Sequence, residues 1–565
     1  MSKRCLVAIV LLVFLSVTAQ VILLASLAEP GLPLDDGWIH ATYARNLARH
    51  GQLCLNPGEP STGTTSFAWT ALLASLRLAG TGPVAAPVAL GIVCQAWLVA
   101  ACFLLMRGAG LGWGWAFAAG ASCALLGPLV WMSLAGMEAT LFLALGLSAV
   151  WCWSHERWLA AGLLAGLLAL TRPEGLALAA AMGLAEVGGP RVGGRGSRVP
   201  KSSSPVPGPS PPDPRPSALL RWLKLFAPVL VAAGIYLAVN LAITGQPLTS
   251  TFAGRRWLAG QPETIDFAPI AVAGRLASFL AAWGRYLHRW VFGTVLLAWV
   301  GVGEEGGAQT AGIALCCLLL AVACVGLVAV VRRRPGPDRG DPSALRLLAG
   351  WTLLHNTAYV LLLPVHGHAG RYQAVNFVLV ALLVVAGAAS LARMRSAARW
   401  LGPALLALWL ALAAGGTMLW RAIYRDSVAH INTTHVGCGR WIAEHLPRDA
   451  VVATYDLGGI AYHAERRVVD LGGLVDPAMA RHLFAGDCAP YLRQQGATHL
   501  AMVQHTLDDT GLLGALGLAP PAPGRPELHR LRYWSVPPER YHLHHIATSN
   551  AAPFMVLYRL RWPPG

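Results

Sequence analysis

The residues best equipped to do chemistry are an adjacent carboxylate pair, Asp35 and Asp36, just past the first apolar run. They open the stretch LDDGWIHATYARNLARHGQLCLNPGEPSTGTTSFAWTALL. An ionised carboxylate can serve as a general base, taking the proton of a hydroxyl as that oxygen attacks an anomeric carbon. Behind the pair, Ile39, Tyr43 and Leu47 recur every fourth residue. That spacing predicts an amphipathic helix lying against a membrane surface. Both Asp then sit at its N-terminal end, where the helix dipole favours negative charge. A single Asp there is commonly an N-cap. A second requires another reason, because adjacent carboxylates repel and one suffices as a cap.

Other charged groups carry weaker signals. Glu138 and the Arg172/Glu174 pair fall at or near membrane depth, where ionised groups are expensive and point to function by default. A mutual ion pair is the structural alternative, and the span assignment below puts them near the cytoplasmic face, away from the Asp pair. His366/His368 and His542/His544/His545 have spacings that could hold a metal. No Cys lies close to them in sequence, so they read as exposed, solvated histidines. The 11 cysteines are scattered without a C-x-x-C pair. No cofactor is implied, although the carboxylate pair is also a potential ligand for a divalent cation.

The elements that must position these residues are mostly apolar. Of 565 residues, 55% are hydrophobic and 12% charged, against about 25% charged in soluble domains. Runs long enough to cross a bilayer are expected near 6–28, 67–80, 84–106, 113–133, 137–153, 158–186, 222–243, 308–330, 345–364, 373–391 and 400–420, about eleven spans. The first, Cys5 to Ala28, is too long for a signal-peptide core and reads as an uncleaved span. The net charge of +16 could point to nucleic acid. The basic residues instead cluster between apolar runs: Lys3–Arg4, the linker 188–221, Arg332–Arg334 with Arg339, and Arg393/Arg395/Arg399. The positive-inside rule makes these cytoplasmic and leaves 29–66, 244–307 and 421–565 outside. No nucleic-acid partner is expected.

The expected fold class is an α-helical polytopic membrane protein with a C-terminal extracytoplasmic α/β domain. Residues 1–187 form an N-terminal transmembrane bundle whose first outer loop (29–66) carries the acidic pair. A Pro/Gly/Ser-rich linker at 188–217 is read as disordered and cytoplasmic. A second bundle occupies 218–420, and 421–565 is a soluble domain large enough to hold a core. Within it THVGCGRWIAEHL has helical spacing, and AVVATY, RVVDL, the end of QQGATHLAMV and MVLYRL read as strands. Cys438 and Cys488 both fall there, and in an oxidising compartment they could pair across a loop of about 50 residues.

The loop also resembles a family. Asp35, Asp36, Trp38, Ile39, then Tyr43-Ala44-Arg45-Asn46-Leu47, Asn56-Pro57-Gly58-Glu59, Gly63-Thr64 and Trp69-Thr70-Ala71-Leu72-Leu73-Ala74 follow one pattern. It is similar to the first outer loop of bacterial GT-C-fold glycosyltransferases that use polyprenyl-phosphate sugar donors, in the arabinofuranosyl- and mannosyltransferase-like branch. GMEATLF (136–142), LTRPEG (170–175) and VVDLGGLVDP (468–477) extend the likeness, which is dense over the first 180 residues and patchy beyond. The chain departs from the branch at Thr42 and Trp38, where Arg and Tyr are usual, and in Pro247–Arg255, which lacks the family's aromatic residue and Lys. These departures bear on the sugar more than on the reaction.

The resemblance implies an integral membrane glycosyltransferase of the bacterial plasma membrane, inverting in outcome. It would transfer a sugar from a polyprenyl-phosphate donor to an envelope glycan, lipid or protein acceptor on the outer side. Asp35, with Asp36, would be the catalytic carboxylates. Tyr43, Asn46, Asn56, Glu59 and Thr64 would complete the loop motif. The leaving lipid phosphate requires cationic donors, for which Arg371, Arg45, Arg255 and Arg256 are candidates; Arg371, in a G-R-Y pattern, leads them. Two rivals remain: a transporter or flippase, and a non-catalytic assembly protein whose acidic pair is only a cap. The topology has its own test. A reporter fused at Ser204 should read cytoplasm and one at the C-terminus the outer side; finding both on one side would overturn the odd span count.

Overall fold

Apolar runs become helices because a chain in hydrocarbon must satisfy every backbone N–H and C=O within itself. The computed structural model describes residues 2–187, 217–291, 293–299, 301, 305–334, 340–394, 397–519, 524–538 and 552–563. The linker expected at 188–217, apart from Ser217, and the histidines at 542, 544 and 545 lie outside the described residues.

The first half contains α1 (Lys3–Leu24), α2 (Asp35–His50), α3 (Phe67–Leu78), α4 (Ala85–Gly108), α5 (Trp113–Leu125), α6 (Gly127–Leu134), α7 (Ala139–Ser154), α8 (Trp158–Thr171) and α9 (Leu176–Val187). The second contains α10 (Ala218–Thr244), α11 (Thr251–Leu258), α12 (Pro269–Tyr286), α13 (Thr294–Trp299), α14 (Glu305–Arg332), α15 (Ser343–Leu362), α16 (Ala374–Leu391) and α17 (Leu401–Ile431). Among the described residues six helices are long and apolar enough to cross a membrane, or seven if α5 and α6, bent by 55°, form one span. The bend falls where Pro128 sits in the first turn of α6, because proline has no N–H with which to continue the helical bonding from α5. Small residues let helices approach closely, as is usual between apolar helices. A Cβ on Gly162 would lie 2.4 Å from the Leu225 carbonyl oxygen of α10, and one on Gly387 would lie 2.0 Å from that of Val322.

Two expected spans are replaced. α3 has only 12 residues and starts beside α2. α4 begins on the same face, where Val84 and Val88 pack with Trp38 of α2. It ends on the opposite face, where Gly108 accepts a backbone bond from Asp341 at 2.9 Å. The chain therefore does not cross at 67–80. Conversely, the run expected as one span at 158–186 is two helices reversing at Arg172–Gly175. Arg172 precedes Pro173 and is forced into the extended region (φ −155°, ψ 134°), which stops α8. The two departures turn over everything between them, so Glu138, Arg172 and Glu174 lie on the side that carries Asp35, not the opposite one. The apolar run 290–302 could from its sequence be either an extra span or a helix lying on the membrane surface; among its described residues are the end of the helical turn Leu287–Val291 and the six-residue α13.

The C-terminal domain adds α18 (Gly437–His445), α19 (Gly458–His463), α20 (Pro477–Ala485), α21 (Ala489–Gln494) and α22 (Gly511–Ala515). Its sheet holds β1 (Val451–Thr454), β2 (Arg467–Asp470), β3 (His499–Gln504), β4 (Glu527–Ser535) and β5 (Phe554–Arg561), in the order β2-β1-β3-β5-β4. β1 is parallel to β2 and β3, and β5 is antiparallel to β3 and β4. The four strands read from sequence form. β4, whose side chains are mostly exposed, was not anticipated. The expected Cys438–Cys488 bridge is absent, and both are buried free thiols. Alternate residues of β1 separate them. Cys438 packs with Val452 on one face of the sheet and Cys488 with Ala453 on the other.

α2 is not a surface helix. Ile39 and Tyr43 pack against Ile442, Leu457 and Val468 of the C-terminal domain, while Trp38 and Ala41 face Leu32 and Val436. The apolar stripe read as meeting lipid meets protein. The loop after it is stapled on by Asn56, whose amide donates to the Val468 carbonyl at 2.9 Å and accepts from the Val468 N–H at 3.0 Å. It thus occupies the open edge of β2 as a further strand would. Glu59 pairs with Arg467 at 2.6 Å beside it. Replacing Asn56 with Ala strands both Val468 groups and should destabilise this junction by about 1–3 kcal/mol. Thermal unfolding of the purified full chain checks it, and an unchanged midpoint would show that the loop is held by other contacts.

Candidate active site

The acidic pair lies at the junction of the membrane bundle and the C-terminal domain, in a cleft of about 160 Å³. Among the segments that converge on it are the first turn of α2, the turn Gly367–Tyr372 before α16, α11, and the turns after β1 and β2. Neither Asp caps α2. The N-cap is Leu34, which makes no side-chain cap bond, so both carboxylates are available for longer-range contacts.

Asp36 forms an ion pair with Arg371. Arg371 reaches the cleft because the preceding turn winds left-handed, with φ of 65° at Gly367, 54° at Ala369 and 72° at Gly370. Such a value at Ala369 is strained, and strain of this kind persists where the surroundings over-determine it. Arg371 is only 3% exposed, and its guanidinium sits 5.2 Å from the centre of the Tyr372 ring. Its Nε and Nη1 have no hydrogen-bond partner among the described residues. Burial opposes ionisation of Asp36, but Arg371, with His368 and Arg255, overrides it and holds that carboxyl well below the usual carboxylate range.

Asp35 is held differently. Its two oxygens accept the backbone N–H groups of Gly458 and Gly459, each at 2.7 Å, at the start of α19. Burial pushes its carboxyl up to about 6, with Asp456 adding to the rise and His435 and the two N–H groups opposing it. His435 Nε2 lies 3.8 Å from Asp456 Oδ2 on the same wall. The neighbouring carboxylates are thus pushed apart: Asp36 is fixed as an anion, while Asp35 is poised to exchange a proton near neutrality.

A buried polar chain backs the pair. Thr70 bonds Thr64 at 2.6 Å, Thr64 bonds His40 at 3.1 Å, and His40 lies 3.3 Å from Glu138. Glu138 is 3.7 Å from Arg172, which also meets Glu174 at 3.3 Å, the Tyr359 hydroxyl at 3.1 Å and the Arg371 carbonyl at 3.4 Å. Glu138, Arg172 and Glu174, set aside on topology, thus brace the turn that carries Arg371.

The other expected site residues divide. Arg255 lines the cleft, 4.9 Å from the Tyr372 ring centre. Arg256 points away and is consumed by the carbonyls of Pro262, Thr264 and Leu362, the first at 3.1 Å from Nε. Arg45 donates to the Tyr462 carbonyl at 2.7 Å and stacks on that ring. Neither faces the cleft, because each satisfies backbone groups that would otherwise be stranded. Tyr43, Asn46, Asn56, Glu59 and Thr64 also stay out of it. Tyr43 bonds Ser61 at 2.7 Å and Asn46 the carbonyl of Leu55 at 2.9 Å, so they shape the loop. His368, read as solvated, lines the cleft, while His366 packs on Phe279. His435, Tyr455 and Asp456 were missed. One signal could have found the last: Asp-Leu-Gly-Gly occurs twice, at 456–459 and 470–473, each time at the C-terminal end of a strand. Among the described residues, no three His, Cys, Asp or Glu side chains gather as a metal site.

Comparison with known proteins sets this geometry in context. Residues 422–553 match the family model of a domain of unknown function, DUF8728. No curated protein matches the chain. Among solved structures it is similar to ArnT from Cupriavidus metallidurans bound to undecaprenyl phosphate, at 11% identity over 97% of both chains with a TM-score of 0.52. It also resembles arabinofuranosyltransferase AftD from mycobacteria, at 15% identity and a TM-score of 0.42, over 99% of this chain but 42% of that one. The likeness to ArnT is one of fold: this membrane protein has the GT-C fold, with a C-terminal α/β domain.

Proposed function

We propose that the chain is a membrane glycosyltransferase that moves a sugar from a polyprenyl-phosphate donor to an envelope glycan, lipid or protein acceptor. The observation that carries this reading is Arg371. A buried guanidinium with Nε and Nη1 unpartnered is costly unless an anion completes it. It opens on the cleft that holds Asp35. A phosphate ester is the fitting anion, since the guanidinium fork matches its oxygens, and ArnT, which shares the fold, was solved with undecaprenyl phosphate.

The acceptor hydroxyl enters beside Asp35 and attacks the anomeric carbon. Asp35 takes its proton as the new C–O bond forms. The bond from the anomeric carbon to the phosphate oxygen breaks, and the lipid phosphate leaves with the charge stabilised by Arg371 and Arg255. Attack opposite the leaving phosphate gives inversion. Asp36 orients Arg371 rather than acting as base, because an anion held that firmly is a poor proton acceptor. The positive-inside rule supports a cytoplasmic N-terminus, an outward-facing cleft and residence in the bacterial plasma membrane. The domain bounds 1–187, 188–217, 218–420 and 421–565 stand as part of the same reading.

Three outcomes test it. Asp35→Asn keeps the side-chain size and should lower transfer by about 10²–10⁴-fold in membranes given a radiolabelled polyprenyl-phosphate sugar and acceptor; parental rates would remove Asp35 from the mechanism. Protonated Asp35 cannot accept a proton, so the rate should fall as pH drops through about 6 and level off above it. A profile flat between pH 5 and 7 would contradict this. Arg371→Gln should weaken binding of undecaprenyl phosphate to the purified protein by roughly tenfold or more, as loss of a charge-assisted pair predicts. Equal affinity would place the phosphate elsewhere.

A further inference from the structure

We infer that the C-terminal domain is a working part of the catalytic centre: the backbone N–H groups of Gly458 and Gly459 are the positioning groups that hold Asp35 in register with the cleft. The inference rests on the proposed transferase reading for its consequence, and on geometry alone for the contact.

In open α/β sheets the place for a ligand is the crevice beyond the carboxyl ends of the parallel strands. Here β1 ends at Thr454 and β2 at Asp470. The turn after β1 runs through Tyr455, Asp456 and Leu457 into the free N–H groups that start α19. What occupies that place is not a separate molecule but the Asp35 carboxylate of α2, one oxygen on each N–H at 2.7 Å. Both glycines are required by close approach. A Cβ on Gly458 would lie 1.9 Å from the Asp35 carbonyl oxygen, and one on Gly459 would lie 2.9 Å from His435 Cβ.

The second copy of the Asp-Leu-Gly-Gly turn shows what is special about the first. At the end of β2, Asp470 folds over the turn that follows it, accepting from Gly472 at 2.7 Å and from Val475 at 2.5 Å. After β1, Asp456 instead turns towards His435. Its glycine N–H groups are thereby left for Asp35, a residue more than four hundred positions earlier in the chain. The double contact fixes the carboxylate against rotation. An ionised carboxylate offers about four lone-pair sites, so two remain for a hydroxyl in the cleft. A base fixed in this way acts without the reorganisation that a free side chain would require. The groups facing Asp35 are His435 before α18, Asp456 after β1 and Asp36 on α2, with Arg371, His368 and Arg255 across the cleft.

The test uses the full-length protein in lipid nanodiscs. Asparagine at 35 keeps the volume but replaces one acceptor oxygen with an NH₂ that repels an N–H. Hydrogen–deuterium exchange should therefore rise roughly tenfold at the segment 458–463 in Asp35→Asn, with the strands of the sheet unchanged. Unchanged exchange at that segment would overturn the contact. A second measurement reads the carboxylate itself by infrared titration of ¹³C-labelled aspartate, with Asp35→Asn subtracted to isolate its band. N–H bonds favour the ionised form, so Gly459→Ala should raise the Asp35 midpoint by about one pH unit, and the acid limb of the rate profile should move with it. A lowered rate with an unmoved limb and midpoint would mean that the glycines are merely structural. Neither the exchange nor the infrared readout depends on sugar transfer. If no transfer occurs but both shifts appear, the transferase reading fails and the contact stands. If transfer occurs and neither shift appears, the reverse holds. Should Gly459→Ala not fold, the exchange result on Asp35→Asn, which adds no bulk, decides the matter.

Discussion

A guanidinium buried almost completely in a membrane protein is the constraint around which this structure is arranged. Moving one such charge out of water costs several kcal/mol even after relaxation, and among the described residues the carboxylate that pairs with Arg371 is that of Asp36. The consequences spread outward. The strained Gly367–Gly370 turn exists to deliver Arg371 into the cleft. Arg172 braces that turn through the Arg371 carbonyl, and Arg172 is in turn balanced by Glu138 and Glu174. Glu138 needs His40, and His40 needs Thr64 in the loop motif. A run of residues from five separate segments thus becomes one connected polar unit.

The asymmetry between the two adjacent carboxylates follows from which side each one faces. Asp36 turns towards the membrane bundle and meets a cation. Asp35 turns towards the C-terminal domain and meets neutral N–H dipoles, which stabilise its charge less than an ion pair would. Burial then governs Asp35 and pairing governs Asp36. Two residues of identical type, one peptide bond apart, acquire a proton-exchanging role and a fixed anionic role. Both roles require the C-terminal domain to be seated, since it contributes Tyr455, Asp456 and the α19 N-terminus to the cleft.

Much of this was legible in the sequence, and the gaps have physical causes. The long apolar runs, the loop that carries the carboxylates, Arg371 and four of the five strands could be read because each signal is local. What was misread depends on tertiary contact. Hydropathy cannot separate α3, a short apolar helix that returns to its own face, from a span, nor see that Pro173 splits the run 158–186 into two helices. That one error hid the nearness of Glu138 and Arg172 to the site. The stripe Ile39–Tyr43 is as apolar as a lipid-facing one, and only the docked domain distinguishes them. Arg45 and Arg256 have the right charge but spend their donors on nearby carbonyls, which no spacing rule foretells. Cys438 and Cys488 share a domain yet lie on opposite faces of its sheet.

The central claim is that the open nitrogens of Arg371 await a lipid phosphate beside Asp35. The most direct measurement is an electron cryomicroscopy structure of the full-length protein with undecaprenyl phosphate in a nanodisc. The account predicts phosphate density within hydrogen-bond reach of Arg371 Nε and Nη1, with the isoprenyl chain leaving the cleft towards the bilayer and Asp35 still held by Gly458 and Gly459. A phosphate seated away from Arg371, or a lipid bound outside the cleft, would contradict it.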